Sequence, residues 1–258
     1  VIDVALTPSA LRTTPTAVVI DALRATSTIA QALAGGYRRV LCCGDRSRAL
    51  ELRAPGRVLA GELGCVRPAG FDLGNSPREM ATPRGDELVL ATTNGTRAIV
   101  ETAATAAEVL LAALVNLDAV TGSLPADPLI VCAGTEGRAS IEDTYVAGSI
   151  ARRLSGPRTD ATLLAEATVA ANASALHAFA AGGAARRLER MGLGADVSWC
   201  ARPSVLDIVP RVVAVEDGVA VVERGPSPQR IAPRNLEPTA RVRSQPPNPT
   251  LRCIPKLD

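Results

Sequence analysis

Short apolar runs alternate with stretches of helical periodicity along most of this chain. "AVVID" (Ala17 to Asp21) has the uninterrupted apolar character of a strand buried on both faces, and "STIAQALAGG" behind it reads as a helix closing on Gly35 and Gly36. "RRVLCC", "RVLAGE", "ELVLATT", "EVLLAALV" and "PLIVCAG" are further strand candidates, and helices are expected over Thr96 to Ala107, Glu142 to Leu154 and Asp160 to Ala181. "RVVAVEDGVAVVERG" predicts a hairpin turning at Asp217-Gly218. From residue 226 the chain becomes rich in Pro, Arg, Asn and Ser without periodicity, so residues 226–258 are expected to be a disordered tail behind one domain, 1–225. Strands alternating with helices predict an α/β fold: a three-layer α/β/α domain with a largely parallel or mixed central sheet.

Ligands of such sheets bind beyond the carboxyl ends of the strands, and there the polar residues gather. "DALRATST" brings Asp21, Arg24, Thr26 and Ser27; "GE" brings Glu62; "TTNGTR" brings Thr92, Thr93, Asn94, Gly95, Thr96 and Arg97. "AGTEGRASIED" adds Arg138, Ser140, Glu142 and Asp143, and the turn "FDLGNSP" adds Asp72, Asn75 and Ser76. A Thr-Asn-Gly-Thr turn opening a helix offers backbone N–H groups and a positive dipole end to an anion. Carboxylates in the same pocket would repel that anion unless a cation lay between them, and hard oxygen donors suit Mg²⁺. Anion donors, acids and a divalent metal together point to phosphoryl chemistry.

Each loop also has a plainer reading. "TTNGT" serves as an ordinary helix cap, Glu142 and Asp143 as first-turn acids, and Arg24 and Arg97 as solvated charges. Composition removes other classes of function. Aromatic residues make up 2% of the 258 residues and the formal net charge is +2, which leaves neither stacking platforms nor an electrostatic footprint for nucleic acid or a membrane surface. The six cysteines have no framework spacing, and no secretory leader is evident, so reduced thiols and a cytoplasmic location are expected. "CAGTEGR" places Cys132 and Arg138 in the Cys-x5-Arg spacing of cysteine-dependent phosphatases, although Glu136 would sit inside the phosphate cradle. That chemistry and a non-catalytic anion-binding protein remain the alternatives. His177, the only histidine, is expected on a helix, and its count excludes two-histidine chemistry.

Taken in order and spacing, "DALRATSTI", Gly61-Glu62, "GFDLGNSP", "TTNGT", the "CAG" loop with its Glu-Asp pair, and "DIVP" (Asp207 to Pro210) resemble the 2-phosphosulfolactate phosphatase family across about residues 1–225. The resemblance implies Mg²⁺-dependent hydrolysis of (R)-2-phospho-3-sulfolactate to 3-sulfolactate and phosphate, a step towards coenzyme M. On that reading Asp21, Glu62, Asp72 and Asp143 supply the metal ligands and the acid–base groups. Arg24, Arg97 and Arg138 offset the substrate's charges, Thr92 to Thr96 bind phosphoryl oxygens, and Thr26, Ser27, Asn75 and Ser76 complete the substrate site. The expected partner is a small anionic phosphate ester, with a homodimer as the assembly to test.

Overall fold

Alternation along the strands assigns each side chain to one of two cores. In chain order the elements are β1 (Asp3–Ala5), β2 (Thr14–Ile20), α1 (Ala25–Gly35), β3 (Arg39–Cys43), α2 (Arg46–Glu51), β4 (Arg57–Gly61), β5 (Glu87–Ala91), α3 (Gly95–Ala103) and β6 (Ala106–Ala112). They continue with α4 (Leu117–Thr121), β7 (Leu129–Cys132), α5 (Ile141–Ala151), α6 (Asp160–Ala170), α7 (Ala175–Ala181), α8 (Gly183–Arg190), α9 (Gly194–Cys200), β8 (Pro210–Glu216) and β9 (Val219–Arg224). The computed structural model describes residues 1–226, so the expected disordered tail lies, but for Pro226, outside the described residues.

The strands form one mixed nine-stranded sheet in the order β1-β7-β2-β6-β8-β9-β3-β5-β4. β1, β7, β2 and β6 pair in parallel, as do β3, β5 and β4. The β8–β9 hairpin sits between these two blocks and pairs antiparallel with β6 on one side and β3 on the other. Its turn uses Asp217 and Gly218 at φ +48° and +75°, the twist that a two-residue hairpin connection favours.

Ala17 and Val19 of β2 point into a core shared with Ile29 and Leu33 of α1 and Ile99 of α3. The alternate residues Val18 and Ile20 point into a second core with Val146 and Ile150 of α5, Phe179 of α7 and Val197 of α9. A smaller cluster packs Ala49 of α2 against Leu41, Leu59 and Val89 of the second parallel block. Helices thus cover both faces of the sheet, the three-layer α/β/α arrangement expected from the sequence. With few aromatics the core is aliphatic; Tyr145 and Phe179 meet edge to face with centroids 6.4 Å apart.

Two expected helices differ in extent: the one expected over Thr96 to Ala107 stops at Ala103, and β6 begins at Ala106. The Ala-rich stretch Asp160 to Ala181 is two helices, because the Ser174 hydroxyl accepts from the His177 N–H and starts α7 afresh. Nor is the stretch buried: Leu163, Leu164 and Leu176 are exposed, and α6 inserts only Thr162 and Ala165 into the interior. No helix among the described residues is long and apolar enough to cross a membrane.

The contact between α5 and α6 depends on Gly148, where an added Cβ would lie 2.1 Å from the Ala165 carbonyl oxygen. Backbone cannot yield there as a flexible side chain would. Gly148→Ala is expected to lower stability by about 1–3 kcal/mol, read as a lower denaturant midpoint. Gly44→Ala, with no atom within 4 Å of the new Cβ, should leave the midpoint nearly unchanged.

Candidate active site

The loops after β2, β4, β5 and β7 border a cleft of about 1170 Å³, which α8 closes from the other side. Asp21 ends the β2 run and is buried at the cleft floor. Its Oδ1 accepts from the Ala25 N–H at the start of α1 (3.2 Å). Its Oδ2 lies so close to Gly95 that a Cβ there would stand 2.3 Å from it. Only glycine lets the first turn of α3 approach that carboxylate.

Three more acids surround Asp21. Asp143 lies beneath the cleft, where Oδ1 accepts from the Ala22 N–H (2.8 Å) and Oδ2 from the Gly134 N–H (3.0 Å). Glu62 lines the cleft and spans two loops, accepting from the Thr93 N–H and the Cys65 N–H at 2.8 Å each. Both acids therefore stitch neighbouring loops together. Glu142 differs: it lines the cleft, is 2% exposed, and its Oε2 has no hydrogen-bond partner.

Desolvation, reinforced by the charge of Asp143, raises the Asp21 carboxyl well above the ordinary carboxylate range. The same two causes raise Glu142, and desolvation raises Asp143. Glu87, at the amino ends of the strands, makes the contrast. Its burial also pushes upward, but Arg57, Arg39 and Arg38 outweigh that and hold its carboxyl below the usual range. Among the described residues no such arginine clamp meets Asp21, Glu62, Glu142 or Asp143.

Arg24 lines the cleft, yet its charge is already engaged: Nη1 donates to Asp196 Oδ2 of α9 at 2.7 Å, with both side chains almost fully buried. Ser76 donates to the other oxygen, Asp196 Oδ1, also at 2.7 Å. Asp196 thus ties α9 to the β2–α1 loop and to the 71–77 turn. Asn75 lines the cleft with a buried Oδ1 that lacks a partner.

The structure brings together Asp21, Arg24, Glu62, Asn75, Thr93, Asn94 and Arg138 around the cleft, with Gly95 against Asp21. Several other sequence-based candidates stand apart from it. Asp72 is not among the lining residues; its Oδ2 accepts from the Leu59 N–H (2.8 Å) and it faces Arg53, so this carboxylate pins the "FDLGNSP" turn to β4. Arg97 points outward into an i,i+4 pair with Glu101 at 2.6 Å. Thr92 and Thr96 are buried and satisfy one another across the first turn of α3, which is the plain capping role. The Thr26 and Ser27 hydroxyls bond the backbone of Asp21 and Ala22, bracing the loop rather than facing a ligand.

The cysteine alternative fails on geometry. Cys132 is fully buried on β7 and outside the cleft lining, and desolvation drives its thiol well above the ordinary value. His177 is exposed on α7, with Nδ1 2.9 Å from Asn172 Oδ1. Asp196 and the arginines of α8 escaped the sequence reading. The Gly-Gly-Ala-Ala-Arg-Arg run at 182–187 was the one local hint of a helix end beside a charged wall.

A family model described as 2-phosphosulpholactate phosphatase matches residues 3–214. The chain is 36% identical over 235 residues to a protein of Thermotoga petrophila named probable 2-phosphosulfolactate phosphatase, covering 87% of this chain and 100% of the relative. Proteins with the same name from Thermus thermophilus and Deinococcus radiodurans are 39% and 38% identical, over 74% and 78% of this chain and 85% and 89% of their own lengths.

A raised carboxyl favours folding at low pH and opposes it once ionised, so the stability that Asp21 contributes is lost as pH rises through its elevated folded-state pKa. Asp21→Asn keeps the Oδ1 acceptor and removes the charge. In metal-free protein this variant should melt higher than wild type at pH 8, and the gap should close near pH 4. Equal melting temperatures at both pH values would show that Asp21 carries no electrostatic strain.

Proposed function

The chain belongs to the 2-phosphosulfolactate phosphatase family, and from that membership and the cleft we propose that it hydrolyses (R)-2-phospho-3-sulfolactate, or a closely related acidic phosphate monoester, to the hydroxy acid and phosphate. In an organism that makes coenzyme M, this reaction would be a step towards it. The observation that carries the reading is the pair of buried cleft carboxyls, Asp21 and Glu142, held above their ordinary range with the Glu142 Oε2 unpartnered. Perturbed acids in a cleft are the mark of acid–base chemistry.

Mg²⁺ suits the donor set. It usually takes one or two carboxylates and fills its remaining positions with water and substrate phosphate oxygens. Among the described residues no three His, Cys, Asp or Glu side chains converge on one point, so a closed all-protein cage is not the expected form. Asp21 would hold the ion, with the orphaned Asn75 Oδ1 as a neutral second donor, while Asp143 and Glu62 keep the loops in place and Glu142 is left free of the ion as a proton donor. When bound, the ion supplies positive charge against the phosphoryl oxygens.

In the hydrolysis, the oxygen of water forms a bond to phosphorus and the ester oxygen departs with the electron pair of the P–O bond. Glu142, whose carboxyl burial and the charge of Asp143 raise to about 7, donates the proton that makes the leaving group an alcohol. Arg24, immobilised by Asp196, presents a fixed guanidinium edge to the cleft and orients the ester.

Phosphate release from phosphosulfolactate, phospholactate and phosphoglycerates, measured with EDTA and again with added Mg²⁺, tests this reading. Activity on the sulfonated ester, lost in EDTA and restored by Mg²⁺, is the expected result. Cys132→Ser should remain fully active. Phosphate released from none of these esters would overturn the proposal.

The pH dependence follows from the direction of the Glu142 shift. A proton donor is lost as pH rises through its raised pKa, so kcat should fall on the alkaline side. Glu142→Gln should lower kcat by about 10²–10⁴-fold, the usual worth of general acid catalysis, and abolish that alkaline limb. A variant with wild-type kcat and an unchanged pH profile would remove Glu142 from the chemistry.

A further inference from the structure

The cationic side of the cleft comes from a helix that no sequence motif marked. α8 buries Ala185 and Leu188 and turns Arg186 and Arg190 outward along the cleft wall. These two are i,i+4 neighbours, a spacing at which like charges repel on a helix surface. The macrodipole favours cations in the last turn, which accounts for Arg187 and Arg190 but not for Arg186 in the amino-terminal half. Carboxylate partners do not resolve the repulsion either. Arg187 pairs with Glu136 at 3.2 Å, whereas Arg138, Arg186 and Arg190 make no ion pair among the described residues. Arg186 is nonetheless fixed, since its Nη1 donates to the Ala181 carbonyl at 2.6 Å at the end of α7.

The cleft therefore has two poles. Its floor gathers Asp21, Glu62 and Glu142, and Arg24 there is already committed to Asp196. Its wall holds Arg138, Arg186 and Arg190 without an ion pair among the described residues, beside Glu189 and the Glu136 that Arg187 pairs, so four arginines there outnumber two glutamates. A simple phosphate monoester has nothing to offer that wall once its phosphoryl group is seated at the floor. A ligand with further strong-acid groups does, and guanidinium forks match carboxylate and sulfonate oxygens well.

We propose that Arg186 and Arg190 of α8, with Arg138 of the facing loop, form a second anion site in the cleft that receives the acidic substituents of the substrate and selects phosphate esters of polyacidic hydroxy acids over simple monoesters. The assignment rests on the phosphatase reading for the word substrate, but the anion site itself stands on the α8 geometry. Sequence conceals it, because 40 or more residues separate Arg138 from α8.

Two measurements on the full chain separate the site from the reaction. The first is the ratio of kcat/KM for phosphosulfolactate to kcat/KM for p-nitrophenyl phosphate, in wild type and in Arg186→Gln, Arg190→Gln and Arg138→Gln. Each variant is expected to reduce that ratio at least tenfold, mostly through KM of the acidic ester. The second is calorimetric binding of 3-sulfolactate, which carries the acidic groups and no phosphate. Its Kd should rise at least tenfold in Arg186→Gln and Arg190→Gln. An unchanged ratio together with an unchanged Kd overturns the proposal, as does a ratio held constant because both substrates lose equally, which would assign the arginines to the phosphoryl end. A wild type that hydrolyses neither ester but binds sulfolactate through these arginines would sink the phosphatase reading while leaving the anion site in place.

Discussion

Burying several carboxylates under one cleft is the constraint on which the rest of this structure depends. An ionised carboxylate removed from water is costly unless donors replace the lost hydration. Here the donors are mostly backbone N–H groups: Ala22 and Gly134 for Asp143, Cys65 and Thr93 for Glu62, and Ala25 for Asp21. Each of the first two acids takes its donors from two different loops, so the same bonds that satisfy the charges fix the loops relative to one another. What is left over is concentrated on Asp21 and Glu142, where the polarity is available for chemistry.

The same logic explains why the two ends of the sheet differ. At the amino ends of β3, β5 and β4, three arginines converge on Glu87 and more than offset its buried charge. At the carboxyl ends Asp21, Glu62, Glu142 and Asp143 make no ion pair among the described residues, and α8 holds Arg186 and Arg190, likewise without one, across the cleft.

Much of the fold was legible. The strands bordering the cleft, the central hairpin and the Gly36 stop of α1 all follow local rules of periodicity and turn chemistry. The site was legible only in part. Loop placement correctly brought Asp21, Glu62, Asn75 and Arg138 to the cleft, because residues following parallel strands have little choice of location. The structure places Asp72, Arg97, Thr92 and Thr96 off the cleft lining, for position after a strand does not say which way a side chain turns, and partners close by, the Leu59 N–H, Glu101 and the first turn of α3, hold these groups. Asp196 was invisible for a different reason. Its partners Arg24 and Ser76 lie 172 and 120 residues away, and no periodicity or spacing rule reaches so far.

The place of the β8–β9 hairpin has a consequence for how the chain is made. Ribosomal synthesis delivers both parallel blocks before residues 210–224 exist, so β6 and β3 wait with open edges in the interval. Open edges invite pairing with other chains. Until those strands emerge the two blocks can be joined only through the core that α1 and α3 share with both, and the sheet itself is completed last, by a closing step.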